Sequence, residues 1–286
     1  MLTALAFIGA SVVLGGVASF LEHPLSRQLD AFRLGAALRI GGLVLAASAL
    51  LAARGPVLPG LASGLAGLGI GLILGVGSVF YCLALAGLAP WLAASVANGY
   101  IAVSILLGVV VLGETLTWPA IAGLALTLAG IVALSWRKPD AAESHDRPSL
   151  AAMWPLGPYI LLAGLGVFLE KPALRGVTAL QLNLLTALGM ALVAVAAVMI
   201  RDHRLPTGPA ARGGGGVGLL FGLGALGYYL GLEDLPVSVA ATLSNTSVLV
   251  TAVLTVAVRR QPITRPQAAG AVATLAGVSL LTLSQP

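Results

Sequence analysis

The chain has 286 residues, 58% of them hydrophobic and 9% charged, with a mean hydropathy of +1.02 and a formal charge of +5. A water-soluble domain carries about 25% charged residues, so there is too little polar surface here to cover a globule, and that class is excluded. Apolar runs of roughly 20 residues recur along the whole length without the strict alternation of barrel strands, which makes this an all-α polytopic membrane protein.

Ten spans fit the sequence. The first covers about 3–26 and the second about 31–53, followed by the turn Arg54-Gly55-Pro56 and Pro59-Gly60. The third covers about 62–86, the fourth about 90–112 and the fifth about 117–136, with the turn Gly113-Glu114-Thr115 between the last two. A polar stretch holding Lys138, Asp140, Glu143, His145, Asp146 and Arg147 reads as a linker over 138–153. The second half repeats the plan, with spans at about 155–175, 178–200, 214–232, 236–258 and 265–284. Met1-Leu2-Thr3-Ala4 has no basic segment before the apolar run, so the first span reads as a retained helix. Cys82 is the one cysteine and forms no intrachain disulfide.

The two halves are a repeat. Phe20-Leu21-Glu22-His23-Pro24-Leu25-Ser26-Arg27 returns 148 positions later as Phe168-Leu169-Glu170-Lys171-Pro172-Ala173-Leu174-Arg175. An offset of 147 pairs Gly77 with Gly224, Tyr81 with Tyr228, Asn98 with Asn245, Pro119 with Pro266, Gly123 with Gly270 and Gly130 with Gly277. Each half, 1–137 and 154–286, holds five spans, an odd number, so the second enters the membrane in the opposite orientation. Such inverted repeats place a binding site near the bilayer midplane and expose it to each side in turn.

Tyr81-Cys82-Leu83-Ala84-Leu85, Ala93 to Asn98, Leu112-Gly113-Glu114-Thr115-Leu116-Thr117, Gly123 and Gly130 together resemble the EamA-type domain of the drug/metabolite transporter superfamily. Tyr228 to Gly277 give a weaker copy, and Gln261 stands where the pattern would place the second turn's glutamate. The resemblance implies ten helices and secondary transport, commonly export of amino acids or related metabolites. It implies a bacterial cytoplasmic membrane as the location, no cofactor, and a monomer or homodimer.

The candidate substrate-binding residues are Glu22, His23, Arg39, Tyr81, Trp91, Asn98, Tyr100, Glu170, Lys171, Tyr228 and Asn245. A carboxylate in a span costs about 2.5–3.5 kcal/mol on insertion scales, so Glu22 and Glu170 are either paired or functional, and both are candidates for proton coupling. The competing reading makes Glu22 with His23 and Arg27, and Glu170 with Lys171 and Arg175, ion pairs at helix ends. Arg39 sits inside the second span and could hold a substrate carboxylate or phosphate bidentately; alternatively it pairs Glu22 or snorkels to the interface. Its repeat counterpart falls near Thr186, with Asn183 one turn away. Asn98 and Asn245 lie in mid-span, where an amide needs either a substrate or a neighbouring helix to bond. Glu114, Glu233 and Asp234 read as turn charges.

No cysteine–histidine cluster, nucleophile–base set or phosphate loop is present, so no metal site and no catalytic residue is assigned. The basic balance does not signal nucleic acid, because the arginines sit in short loops between spans. A lipid or polyprenyl-carrier flippase on the same fold is the alternative reading, with Arg39 as a headgroup contact beside a lateral portal. The expected partners are a small-molecule substrate, the lipid bilayer and protons.

Charge also sets the expected orientation. Calling the N-terminal side A, the loops on side B hold Arg27, Arg33, Arg137, Lys138, Arg147, Arg201, Arg204, Arg212, Arg259, Arg260 and Arg265, whereas side A holds Arg54, Lys171 and Arg175. Eleven against three makes side B cytoplasmic and places both termini outside. Fusions at Pro286 test this: alkaline phosphatase should be active there and a fluorescent protein dark, and the reverse pattern contradicts the assignment.

Overall fold

The computed structural model describes residues 1–53, 59–88, 90–135, 153–260 and 264–283. The predicted turn at 54–56, nearly all of the 138–153 linker, and Gln261 therefore lie outside the described residues.

The described chain is helical throughout. The first half contains α1 (Leu2–Leu25), α2 (Ala31–Ala52), α3 (Leu61–Gly87), α4 (Pro90–Ala97), α5 (Gly99–Leu112) and α6 (Trp118–Ser135). The second contains α7 (Leu156–Ala173), α8 (Ala179–Asp202), α9 (Pro209–Leu232), α10 (Val237–Asn245), α11 (Ser247–Arg259) and α12 (Arg265–Leu283). Joined end to end, α4–α5 and α10–α11 are single spans, so these elements make ten membrane-crossing runs. Eight of the runs are long and apolar enough to cross on length and composition alone; α6 is a shorter apolar helix.

The fourth and ninth spans were expected to be continuous, and both are broken. The breaks fall at Asn98 and at Thr246, whose backbones stay near the helical region but turn with tighter bonds: Ile101 N–H reaches Asn98 C=O at 3.1 Å and Leu249 N–H reaches Thr246 C=O at 2.8 Å. Side chains compete for backbone acceptors at the second break. Asn245 Nδ2 donates to Ala241 C=O (2.8 Å) and Thr246 Oγ1 to Leu243 C=O (2.7 Å). Hydropathy does not change across either break, so it gives no warning of them. Interrupted helices at membrane depth are tolerated where they line a cavity.

The packing obeys the repeat. α1 packs on α9 as α7 packs on α3; α2 packs on α9 as α8 packs on α3; α6 packs on α12, its own counterpart. The match extends to atoms. A Cβ on Gly16 would lie 2.7 Å from Ser247 O, and one on Gly164 would lie 2.8 Å from Tyr100 O. A Cβ on Gly123 would lie 2.8 Å from Gly277 O, and one on Gly130 would lie 2.7 Å from Gly270 O. Each of these pairs is the other's image at the 147–148 offset. Lipid tails give helices no hydrophobic reason to associate, so close backbone approach through small residues supplies the attraction.

The two ends of the bundle differ. At side A one apolar cluster joins Ala4 and Ile8 of α1 to Leu232, Leu235 and Val237 around the α9–α10 turn, and to Leu281 of α12. At side B the cluster is smaller and confined to the end of α3, α4 and the start of α7, and α11 has no buried residue among those described. The bundle is sealed at side A.

A substitution series checks the crossing of α2 and α9. A Cβ on Gly218 would run into the backbone carbonyl of Leu38, whereas one on Gly216 meets nothing within 4 Å. Gly218→Ala should therefore lower thermal stability in detergent, by about 1–3 kcal/mol as overpacking does, and Gly216→Ala should leave it unchanged.

Candidate functional site

The middle of the bundle holds a cavity of about 330 Å³ between the two halves. Both helix breaks border it: Asn245 and Ser247 flank Thr246 on the ninth span, and Tyr100 follows Asn98 on the fourth. Breaking the helices here brings polar side chains and backbone to a depth where unbroken helices would present only their apolar faces.

The floor toward side A is built by α7 and α9. Glu170 stands in the last turn of α7 and is 3% exposed. Its Oε1 accepts from the Tyr229 hydroxyl at 2.8 Å, and Tyr229 in turn meets Thr186 Oγ1 of α8 at 3.0 Å. Glu170 Oε2 and the neighbouring Tyr228 hydroxyl are both buried and lie beside each other in the same wall.

Arg39 of α2 supplies the opposite charge. It lines the same cavity and donates from Nη2 to Ser78 Oγ at 3.3 Å. A guanidinium has five N–H donors in a planar fork, and this is the one hydrogen bond it makes among the described residues. It also lies within electrostatic reach of Glu22. Ser11 of α1 and Ser244 of α10 close the wall between them, their hydroxyls 3.4 Å apart. Asn245 Nδ2 also donates to the Tyr100 hydroxyl.

Five of the sequence candidates thus meet at one cavity: Arg39, Tyr100, Glu170, Tyr228 and Asn245. The others are placed elsewhere. Glu22 is half-buried near the side-B end of α1 and outside the cavity lining. The exposed His23 accepts from Arg259 Nη1 through Nδ1 at 2.7 Å, and Arg259 also stacks 4.6 Å over Phe20, which ties α1 to α11 at side B. Lys171 Nζ donates to the carbonyls of Leu232 and Glu233 at 2.6 and 2.9 Å, where it caps the C-terminal end of α9. Tyr81 packs against Tyr159, their ring centroids 5.1 Å apart. Asn98 marks the helix break, and the side chain of Trp91 lies outside the described residues.

Ser11, Ser244 and Thr186 were not among the candidate binding residues. Tyr229, beside Tyr228 in the matched register, is a tyrosine the sequence already offers for lining the cavity, and it does line it. A lone serine or threonine inside an apolar run carries little signal, since such hydroxyls commonly bond back to their own helix.

Two turn charges take definite tasks at side A. Glu114 receives the backbone N–H groups that open α10, and Glu233 Oε1 accepts from Ala179 N–H at the start of α8 (3.3 Å). At side B, Arg33 pairs with Asp202 at 2.7 Å and Arg201 with Asp30 at 2.9 Å. No group of three His, Cys, Asp or Glu side chains able to hold a metal occurs among the described residues.

Residues 151–283 match the model of the EamA-like transporter family. A solved crystal structure is similar over 98% of this chain and 96% of that chain, with 20% identity and a TM-score of 0.78, a likeness that speaks to the fold. No curated protein matches the chain. The helical fold is that of a polytopic membrane protein, and the second half of the chain is similar to the EamA-like transporter family, which belongs to the drug/metabolite transporter superfamily.

Proposed function

We propose that this permease moves a small zwitterion, an amino acid or a close relative, by alternating access. The observation that carries the reading is a single mid-bundle cavity holding both the Arg39 guanidinium and the Glu170 carboxyl group in its walls. A solute with one charge would leave one of these groups unanswered in a low-dielectric site, and a buried unanswered charge is expensive. A zwitterion answers both, its carboxylate on the guanidinium fork and its ammonium toward Glu170 and Tyr228. The volume, about 330 Å³, lies at the small end of ligand sites. It suits a solute of amino-acid size and supports a lipid or polyprenyl flippase less well.

In this reading the repeats 1–137 and 154–286 rock against each other, with the closed side A giving way as side B closes. Export is the expected direction, with both termini outside a bacterial cytoplasmic membrane. Glu170, and Glu22 at the matching place in the first repeat, are the proton-coupling candidates: a carboxyl group that exchanges its proton for the substrate's ammonium links the two fluxes.

Counterflow into proteoliposomes loaded in turn with each common amino acid tests the reading. Losing a charged hydrogen bond costs about 1.5–3 kcal/mol, so Arg39→Gln should raise KM roughly 10–100-fold for the transported species. Glu170→Gln should abolish accumulation driven by a pH gradient. Unchanged KM in the first variant removes Arg39 from the substrate site, and unchanged gradient-driven accumulation in the second removes Glu170 from coupling.

A further inference from the structure

The seal at side A contains a polar tie that the cavity does not use. Glu114 follows the end of α5, where Gly113 turns the chain at φ +68° and Glu114 N–H bonds back to Gly108 C=O at 3.2 Å. This folds the carboxylate back along α5 and across to another span. Oε1 accepts from Val237 N–H at 2.7 Å, and Oε2 accepts from Ser238 N–H at 3.3 Å and from Ser238 Oγ at 2.7 Å. Gly108 makes room for it: a Cβ there would lie 2.8 Å from Oε2 and 2.9 Å from Val237 Cγ1. One carboxylate thus holds the opening of α10, a helix whose residues Val237 to Leu243 are all buried. A charged acceptor on the first N–H groups of a helix also meets the positive end of its dipole.

The tie coincides with a departure from two-fold packing. α10 packs closely on α5 at side A. The repeat relates that contact to α4 against α11 at side B, and among the described residues those two elements make no comparable packing. The bundle is therefore shut between the fourth and ninth spans at side A and parted between them at side B. Glu114 bridges the shut side. Its counterpart by register is Gln261, a neutral amide that offers no carboxylate for a matching tie.

We infer that Glu114 is the latch of the side-A gate: its carboxylate clamps the start of α10 to the α5–α6 turn and biases the permease toward the state open to side B. Opening to side A requires these three hydrogen bonds to break while α10 leaves α5. The inference rests on the transport reading for its purpose, but its test needs no substrate.

Spin labels on Thr115→Cys and Asp234→Cys, both exposed, in a Cys82→Ser background, report the distance across the gate in the full-length protein. Pulsed dipolar spectroscopy should give one short distance for the parent. Glu114→Gln should at least double the fraction of longer distances. Ser238→Ala removes one of the three bonds and leaves the helix intact, so it should give a smaller shift in the same direction. Size-exclusion profiles identify any variant that fails to fold, and the Ser238 variant still decides the matter if Glu114→Gln is lost. Distance distributions identical to the parent in the folded variants overturn the latch. A shifted distribution together with no transport of any amino acid removes the transport reading and leaves the latch standing.

Discussion

The bundle depends on backbone meeting backbone at two crossings. At one, Gly218 of α9 lies against the Leu38 carbonyl of α2, and a Cβ on Gly222 would lie 3.0 Å from Gly42 Cα. At the other, Gly71 of α3 lies 2.5 Å from the Thr186 carbonyl of α8, and Gly189 lies 2.6 Å from Gly71 C, measured to the Cβ each would carry. The two crossings are images of each other under the repeat. Because the close approach needs glycine on both partners, the sequence specifies not only ten spans but which spans cross. These crossings put α2, α3, α8 and α9 around the midplane, and the cavity lies among them.

The same scaffold positions carry different chemistry in the two halves. Glu170, Thr186, Tyr228 and Tyr229 correspond to Glu22, Arg39, Tyr81 and Cys82. In the second half these side chains form a hydrogen-bonded chain from Thr186 through Tyr229 to Glu170. In the first half, Cys82 instead donates to Ala31 C=O at 3.5 Å, and Arg39 reaches across into the second-half site. An inverted repeat with equal chemistry would bind equally from both sides. Placing the guanidinium in one half and the tyrosine-bound carboxyl in the other gives the cavity two unlike poles.

Much of this was legible in the sequence, for physical reasons. A span must be about 20 apolar residues, so the ten runs could be counted. Asn98 with Asn245, Tyr81 with Tyr228 and the Glu–basic–Pro motif are residue types rarely matched by chance in an apolar chain, so the repeat and its inversion could be read. Arg39 and Glu170 were visible because charge in a span is costly. The remainder was hidden for equally physical reasons. The breaks at Asn98 and Thr246 lie inside unbroken hydropathy. Glu114 looked like an ordinary turn charge because its partners lie on another span, 123 and 124 positions away. Lys171 sits in the same motif as Glu170, yet it points to carbonyls at the end of α9, and no local pattern distinguishes a helix cap of that kind from a substrate contact.

The central claim is that Arg39 and Glu170 form opposite poles of one site. Titration calorimetry of the purified protein with leucine, with isopentylamine and with 4-methylpentanoate tests it most directly, since the amine lacks only the carboxylate and the acid only the ammonium group. The account predicts binding of the amino acid at least tenfold tighter than either analogue, with the preference over the amine abolished by Arg39→Gln and the preference over the acid abolished by Glu170→Gln. Equal binding of all three, or preferences that survive both substitutions, would contradict it.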